Sequence, residues 1–135
     1  MTGIAPWAAG YVGIPFVSGG RGHDGADCYG LIRLVHLEQF DRKLPVLSDD
    51  YDDAENCAET EQVMKAQRPL LAGRRVDTPV IGDICVIRFY GLAVHTGVYA
   101  GGGYVLHSLR LTGSVLQRVD DPLVSGRIEG WYRVD

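Results

Sequence analysis

The chain has 135 residues, of which 46% are hydrophobic and 22% charged, and a formal net charge of −4 at pH 7. This size and balance are typical of one globular domain and exclude a disordered or fibrous protein. The negative charge gives no general attraction for nucleic acid, and no apolar run approaches the ~18 residues of a membrane span. We therefore expect a single domain over residues 1–135, with no nucleic-acid partner and no membrane span.

Apolar residues at helical spacing dominate the amino-terminal part of the chain. A short first helix is expected near residues 5–12, followed by a glycine-rich loop over residues 13–27. Residues 28–40 predict a buried helix with one polar edge, on which His36 is expected at the surface. A weaker helix is predicted at about residues 53–67.

Short β-rich runs separated by glycine and aspartate fill the chain after Pro79. They predict a meander of antiparallel strands over VIGDICVIRFYG, AVHTGVYAGGG, YVLHSLR, GSVLQRVDD and GRIEGWYRVD. Helices followed by strands predict an α+β domain in which N-terminal helices pack on one face of a C-terminal antiparallel β-sheet. Cys85 lies within one of the runs and is expected to be a small core residue.

The stretch from Asp49 to Glu61 is strongly acidic and contains Cys57, which has no assignable role. A solvated loop and helix face is the simplest interpretation, and docking on a basic surface of a partner is the alternative. Three cysteines without a CxxC pair predict neither a disulfide framework nor a zinc knuckle. The amino terminus lacks a basic start followed by a long apolar stretch, so we expect synthesis in the cytosol without a signal peptide.

Cys28 stands at the start of the predicted helix, after the glycine-rich loop. Unpaired backbone N–H groups and the positive end of the helix dipole favour a thiolate there, and the thiolate is the nucleophile. The same N–H groups can donate to an oxyanion. Asp27 can cap the helix, but its charge opposes ionisation of the sulfur. From position alone, both a catalytic cysteine and an inert packed thiol fit.

His95 and His107 lie in two predicted strands joined by the glycine-rich stretch YAGGGY. A three-residue turn through residues 100–102 would place the two rings opposite each other on one sheet face, whereas a four-residue turn would separate them. A cysteine nucleophile needs a base, and the base needs an orienting partner. The pattern predicts an active site of Cys28, His95 and His107. A hydrogen-bonded core pair and an open zinc site are the alternatives.

Two stretches resemble the signatures of the NlpC/P60 cysteine peptidases. GIPFVSGGRGHDGADCYGL resembles the first signature, in which a Pro-aromatic pair and Gly-Gly precede Asp-Cys-x-Gly-Leu. IGDICVI followed by HTGVYAGGGYVLHS resembles the second, with a Gly-Asp strand, His-x-Gly-hydrophobic-Tyr and a closing His. The final stretch GSVLQRVDDPLVSGRIEGWYR is similar to phage tail members of the family, including tail-tip and gene-transfer-agent peptidases.

The resemblance implies a papain-like α+β fold and hydrolysis of stem peptides in bacterial peptidoglycan, usually at the D-γ-glutamyl–diamino acid bond. It places Cys28 at the nucleophile, His95 at the base and His107 at the polar third residue, and it implies no metal or other cofactor. Phage tail-tip or hub proteins are the implied partners, and the virion tail is the implied location, from which the enzyme would open the cell wall. The alternative is a structural tail-tip component with low or gated activity.

Phe16 departs from the family pattern, in which many members carry a Tyr whose hydroxyl points toward the catalytic cysteine. A phenyl ring can line the site but cannot donate a hydrogen bond. Tyr29, Ser18 and His23 are candidates for a substitute donor, and the sequence does not choose among them. Together with Asp27, these residues form the predicted substrate-binding set.

Overall fold

The computed structural model describes residues 3–17, 20–44, 74–89 and 92–134. The predicted helix at 53–67, the acidic stretch, Cys57 and Ser18 lie outside these residues. The described elements are, in chain order, a 3-10 helix Ala8–Tyr11, β1 Arg21–Gly22, β2 Gly25–Ala26, α1 Cys28–Phe40, β3 Arg74–Val76, β4 Ile84–Phe89, β5 Leu92–Gly101, β6 Tyr104–Leu109, β7 Gly113–Arg118, α2 Pro122–Ser125 and β8 Ile128–Arg133.

Six of the strands form one antiparallel sheet in the order β3-β8-β4-β5-β6-β7. Strands β4 to β7 follow one another as hairpins, and β8 returns to pair with the other side of β4. The five strands predicted after Pro79 are therefore confirmed. The sequence did not predict β3, a three-residue edge strand with two arginines, nor the small β1–β2 hairpin within the glycine-rich loop.

Helix α1 packs on one face of the sheet. Its residues Leu31, Ile32 and Val35 are fully buried and belong to one core cluster with Ile84 and Val98 of the sheet. Burying each such side chain contributes roughly 1.5–3 kcal/mol to folding. The predicted α+β arrangement, with a helix packed on an antiparallel sheet, is confirmed, and it brings the start of α1 against β5.

The opposite face of the sheet is also covered. Residues that alternate with the helix-facing ones, including Cys85 and Val105, form a second cluster with Val124 of α2 and Trp131 of β8. Cys85 is fully buried, which confirms its prediction as a core residue. The central strands are thus apolar on both faces, and polar side chains that point inward need specific partners.

The prediction that His36 lies at the surface is wrong. His36 is fully buried, its Nε2 lies 2.9 Å from the carbonyl oxygen of Gly82, and its ring packs against Phe40. The turn before β4 covers this edge of α1, and helical periodicity carries no information about a contact so distant in sequence. Burial lowers the pKa of His36 from 6.5 to about 4, so the ring is neutral at pH 7.

The helix predicted over residues 5–12 is shorter than expected, a four-residue 3-10 helix. The chain becomes extended at Val12 and then bonds to β7. The Gly13 N–H donates to the Ser114 carbonyl at 2.9 Å, and the Ile14 N–H donates to the Ser114 hydroxyl at 2.8 Å. These tertiary hydrogen bonds end the helix early and tie the amino-terminal segment to the sheet.

Candidate active site

Asp27 and Cys28 form the start of α1, as the sequence predicted. Asp27 is the N-cap residue, and its Oδ1 accepts a hydrogen bond from the Gly30 N–H at 2.7 Å. An aspartate cap of this kind stabilises a helix by about 1 kcal/mol. The Asp27 N–H donates in turn to the Gly20 carbonyl at 3.2 Å, so the cap is buried under the glycine-rich loop.

Gly30 allows this loop to approach the first turn of α1. A Cβ at this position would collide with the Gly20 carbonyl oxygen, and a Cβ at Gly20 would come within 2.6 Å of the Gly25 carbonyl oxygen. Any larger residue at Gly30 must push the loop off the helix. The glycine of the Asp-Cys-x-Gly-Leu motif therefore fixes the backbone on both sides of Cys28.

The Cys28 sulfur faces β5 at Thr96. The Thr96 backbone, the Thr96 hydroxyl and the Tyr29 backbone all lower the pKa of the thiol. Thr96 is fully buried, and its hydroxyl has no nitrogen or oxygen partner among the described residues. The hydroxyl is therefore free to donate to a thiolate. Thr96 was missed in the sequence, where a threonine in a strand looks unremarkable, although its position beside His95 was a possible signal.

The thiol is closed in and remains protonated at neutral pH. Cys28 is 7% exposed, and burial raises its pKa to about 11, with a further increase from the Asp27 charge. The donors at Thr96 and Tyr29 oppose this without reversing it. The thiolate-favouring effect expected at a helix start is thus outweighed by burial.

The β5–β6 hairpin brings the two predicted histidines together, but in a different register. Tyr99 pairs with Val105, not with Gly103, because the strands join through two glycines and a bulge follows Tyr99. The predicted register is therefore wrong by two residues. An even shift keeps every side chain on its face, so His95 and His107 remain on the same face as diagonal neighbours.

A chain of hydrogen bonds runs from His95 across the sheet. Its Nε2 lies 2.8 Å from Nδ1 of His107, and Nε2 of His107 lies 2.8 Å from Oε1 of Gln117. Gln117 stands on β7, opposite Val105 and therefore on the same face as His107. Sequence reasoning missed Gln117, since only the β6–β7 register shows that it reaches His107.

Both histidines are held neutral at pH 7. Burial lowers the pKa of His95, and the nearby His107 lowers it further. Burial also lowers the pKa of His107, although the hydrogen bond to Gln117 partly opposes this. A neutral imidazole has one unprotonated nitrogen that can accept a proton, as a base requires, and the lowered pKa makes His95 a weaker base than a free imidazole.

The remaining predicted site residues lie in different surroundings. Phe16 is half-buried, and Tyr29 is a core residue whose phenol has its pKa raised by burial. His23 bonds to Glu38 at 2.9 Å, and Glu38 lies about 15 Å along α1 from Cys28 at 1.5 Å per residue. His23 is therefore not the substitute donor to the thiol that the sequence allowed.

Metal binding was the alternative for the same three residues. Across the ranges that the structure covers, no three His, Cys, Asp or Glu side chains are grouped closely enough to hold a metal ion. The geometry thus gives no support to an open zinc site at Cys28, His95 and His107. In the same ranges, no helix is long and apolar enough to cross a lipid bilayer.

Comparison with known proteins identifies the family. The chain matches the NlpC/P60 family model over residues 13–128. It is similar to the NlpC/p60 domain of the peptidoglycan hydrolase SagA, with a TM-score of 0.64, 20% identity and coverage of 94% of this chain and 92% of that one. None of the curated proteins compared with the chain matches it.

Two longer solved structures share the fold. One is an NLP/P60 family protein from Staphylococcus aureus, with a TM-score of 0.63, 22% identity and coverage of 94% of this chain and 38% of that one. The other is NlpC1 from Trichomonas vaginalis, with a TM-score of 0.67, 19% identity and coverage of 93% and 41%. This chain therefore spans less than half the length of either protein. With the family match extending over most of its length, the chain belongs to the NlpC/P60 family and adopts that family's α+β fold.

Proposed function

We propose that the chain is a cysteine endopeptidase that hydrolyses peptidoglycan stem peptides, with Cys28 as nucleophile, His95 as base and His107 as the residue that orients the base. The observation that carries this proposal is the buried His95–His107 pair, in line with Gln117, on the strand whose next residue, Thr96, lowers the pKa of the Cys28 thiol. The substrate class is supported by the family match and by the printed name of the SagA domain as a peptidoglycan hydrolase.

The proposed chemistry is acyl transfer through a thioester. The Cys28 proton passes to His95 as the sulfur attacks the carbonyl carbon, and the N–H groups at the start of α1 stabilise the oxyanion. Protonated His95 then gives its proton to the leaving amine, and the C–N bond breaks. Water attacks the thioester with His95 again as base, which releases the carboxylate and restores the thiol. His107 holds the ring in place throughout.

Thr96 is the hydroxyl donor that we propose in place of the one missing at Phe16. Its hydroxyl lowers the pKa of the Cys28 thiol and has no hydrogen-bond partner in the described part of the chain. A hydrogen bond to a charged acceptor contributes about 1.5–3 kcal/mol, which favours the developing thiolate as its proton leaves. Thr96 thus offsets part of the cost of ionising a buried thiol.

The proposed scissile bond is the D-γ-glutamyl–diamino acid bond, which follows from the motifs that resemble the family signatures. The test is incubation of purified protein with diaminopimelate-type sacculi, followed by mass analysis of the released fragments. We expect fragments that end at D-γ-glutamate and complementary peptides that begin with the diamino acid. Cleavage at another bond contradicts this specificity, and a lack of soluble fragments contradicts the peptidase function.

We also propose that the enzyme works at a phage or phage-like tail tip, in contact with tail hub proteins. The support is the resemblance of residues 113–133 to phage tail members of the family, and these residues form β7, α2 and β8. Proteomic analysis of purified particles should detect the chain in stoichiometric amounts with other tail proteins. Its absence from particles would contradict the placement.

A structural tail component with low or gated activity is the second candidate, and one observation favours it. The Cys28 thiol is almost fully enclosed, and burial raises its pKa to about 11. If activity is gated, addition of the tail hub proteins to the sacculus assay should raise the rate of fragment release. Equal rates with and without hub proteins would contradict gating.

A further inference from the structure

We propose that Gln117 is a positioning residue that sets the tautomer of His95 through His107. This inference rests on the proposed function, because it concerns the ring assigned as the base. Gln117 lies outside the two signature motifs, in the final stretch that resembles phage tail members, on β7, and it is half-buried beside His107. The proposal therefore adds a residue to the site that the sequence does not mark.

Starting from Gln117, each hydrogen bond determines which nitrogen of the next ring carries the proton. The amide oxygen of Gln117 can only accept, so Nε2 of His107, 2.8 Å away, is the donor. A neutral imidazole carries one N–H, which makes Nδ1 of His107 an acceptor. Nε2 of His95 lies 2.8 Å from that atom and must donate to it. The proton of His95 is therefore on Nε2, and its Nδ1 is the unprotonated nitrogen.

The opposite orientation of the Gln117 amide would disable the base. Its NH₂ group would then donate to Nε2 of His107, Nδ1 of His107 would donate to Nε2 of His95, and the proton of His95 would sit on Nδ1. A single amide orientation thus determines which nitrogen of His95 can take a proton.

The hydrogen-bond partners that link the two rings to Gln117 are neutral. Burial keeps His95 and His107 uncharged at pH 7, which justifies counting one N–H on each ring. The next residue on β7, Arg118, is exposed and bonds to Asp120 at 2.7 and 2.8 Å. Cys28, at the start of α1, is a protonated thiol. Along this chain of hydrogen bonds, Gln117 therefore determines which nitrogen of His107 donates.

Protonation of His107 has a consequence that can be tested. A charged His107 carries N–H on both nitrogens, so Nε2 of His95 becomes the acceptor and the proton of His95 moves to Nδ1. The base is then lost although His95 itself is still neutral. A carboxylate in place of the Gln117 amide favours charged His107. In Gln117→Glu, the acid side of the pH profile of kcat/KM should therefore move to higher pH.

The direct test uses the full chain labelled with ¹⁵N-histidine and long-range ¹H–¹⁵N correlation spectra at pH 7.5. We expect the Nε2–H tautomer for both His95 and His107 in the wild type. Gln117→Leu should lose this single tautomer at both rings. Gln39→Leu is the matched control. It removes a glutamine of α1 that donates to the Tyr11 hydroxyl, and it should keep the single tautomer at both rings. An Nδ1–H tautomer at His95 in the wild type would overturn the proposal.

Kinetics on a synthetic stem peptide provide the second readout. Gln117→Leu should lower kcat about 10-fold to 100-fold with little change in KM, because a wrong tautomer removes the base without removing binding contacts. Gln117→Glu keeps the side-chain size and covers the case in which the leucine variant fails to fold. Wild-type kcat in Gln117→Leu, or an unshifted acid limb in Gln117→Glu, would overturn the proposal. Absence of hydrolysis by the wild type contradicts the proposed function alone, since the tautomer measurement needs no substrate.

Discussion

Cys28 is subject to two opposing influences. The start of α1 and the donors at Thr96 and Tyr29 favour a thiolate, whereas burial and the Asp27 charge favour a thiol and win. Burial disfavours the charged forms of both Cys28 and His95, so a resting ion pair of thiolate and imidazolium is not favoured. The proposed catalysis therefore requires that proton transfer accompany attack, and that nearby groups orient the path of the proton.

Removing the Thr96 hydroxyl should make the Cys28 thiol less reactive. Thr96→Val keeps the shape of the side chain and removes the donor, so alkylation of Cys28 by iodoacetamide at pH 8.5 should slow about tenfold. Thr112→Val is the matched control, because the Thr112 hydroxyl bonds to the Gly113 carbonyl on the exposed β6–β7 turn. The rate is measured by peptide mapping of the labelled cysteine. An unchanged rate in Thr96→Val would remove this hydroxyl from the site.

His95 and His107 should differ in how much activity their loss removes. His95→Ala removes the base, which commonly lowers the rate by ~10²–10⁴. His107→Gln retains a polar partner for the His95 ring and should keep measurable activity on a stem peptide. Equal activity of wild type, His107→Gln and His107→Ala would mean that the site is a dyad of Cys28 and His95 alone.

Helix α1 and the strands show which local features the sequence specifies. The bounds of α1 follow from an aspartate cap and a run of apolar residues, both of which act within a few positions of Cys28. The β5–β6 register does not follow from local sequence, because three successive glycines at 101–103 all have positive φ and permit several turns. The burial of His36 depends on Gly82, which a helical pattern cannot reveal. A permissive local glycine turn accounts for the first departure from prediction, and a contact distant in sequence accounts for the second.

The candidate site residues also divide into those that the sequence indicates and those that depend on the sheet register. Cys28, His95 and His107 carry chemistry that is recognisable in sequence, and the hairpin alone was enough to suggest that the two rings meet. Thr96 and Gln117 are ordinary strand residues until the sheet is built. Their roles follow from side-chain direction and register, which the sequence leaves open.

Asp83, which directly precedes β4, connects that strand to its sheet neighbour β8. Its carboxylate bonds Arg133 of β8 at 2.8 and 3.0 Å and the Val80 N–H at 2.8 Å, and it is 2% exposed. Asp83→Asn leaves Arg133 without its charged partner and should lower the free energy of unfolding by about 2 kcal/mol.

The matched control for this substitution is Asp120→Asn, which breaks the exposed ion pair with Arg118. Exposed ion pairs of this kind contribute little to stability, so we expect no measurable change in the free energy of unfolding from urea denaturation. Equal destabilisation by the two substitutions would contradict the role of Asp83 as a buried anchor of the sheet.

The domain as a whole should lose stability in mild acid. Burial lowers the pKa of His36 from 6.5 to about 4 and also lowers the pKa values of His95 and His107. Between pH 6.5 and about pH 4, His36 binds a proton in the unfolded chain but not in the folded chain. The stability that neutral His36 contributes is therefore present above pH 6.5 and is lost as the pH falls toward 4.

For His36 alone, the free energy of unfolding should fall by about 2 kcal/mol between pH 7.5 and pH 5. His36→Gln retains an N–H donor for the Gly82 carbonyl but does not titrate, so its loss over the same interval should be smaller by that amount. Urea denaturation at the two pH values gives the comparison. The same loss in variant and wild type would show that His36 is not the titrating group.

The proposed site is assembled from distant parts of the chain. α1 supplies the thiol, β5 supplies Thr96 and His95, and β6 and β7 supply His107 and Gln117. The sheet therefore has to be complete before the site exists, and the family match extends over the segment that contains all of these residues.

The most direct measurement is kcat/KM on a synthetic stem peptide that contains D-γ-glutamyl–diaminopimelate, compared for wild type, Cys28→Ala and Cys85→Ala. Cys28→Ala should remain folded and lose activity by at least about 10³-fold, because no other group can form the thioester. Cys85→Ala should cost roughly 1 kcal/mol of stability in the core and retain activity. Hydrolysis by Cys28→Ala at the wild-type rate, or loss of activity in a folded Cys85→Ala instead, would contradict Cys28 as the nucleophile.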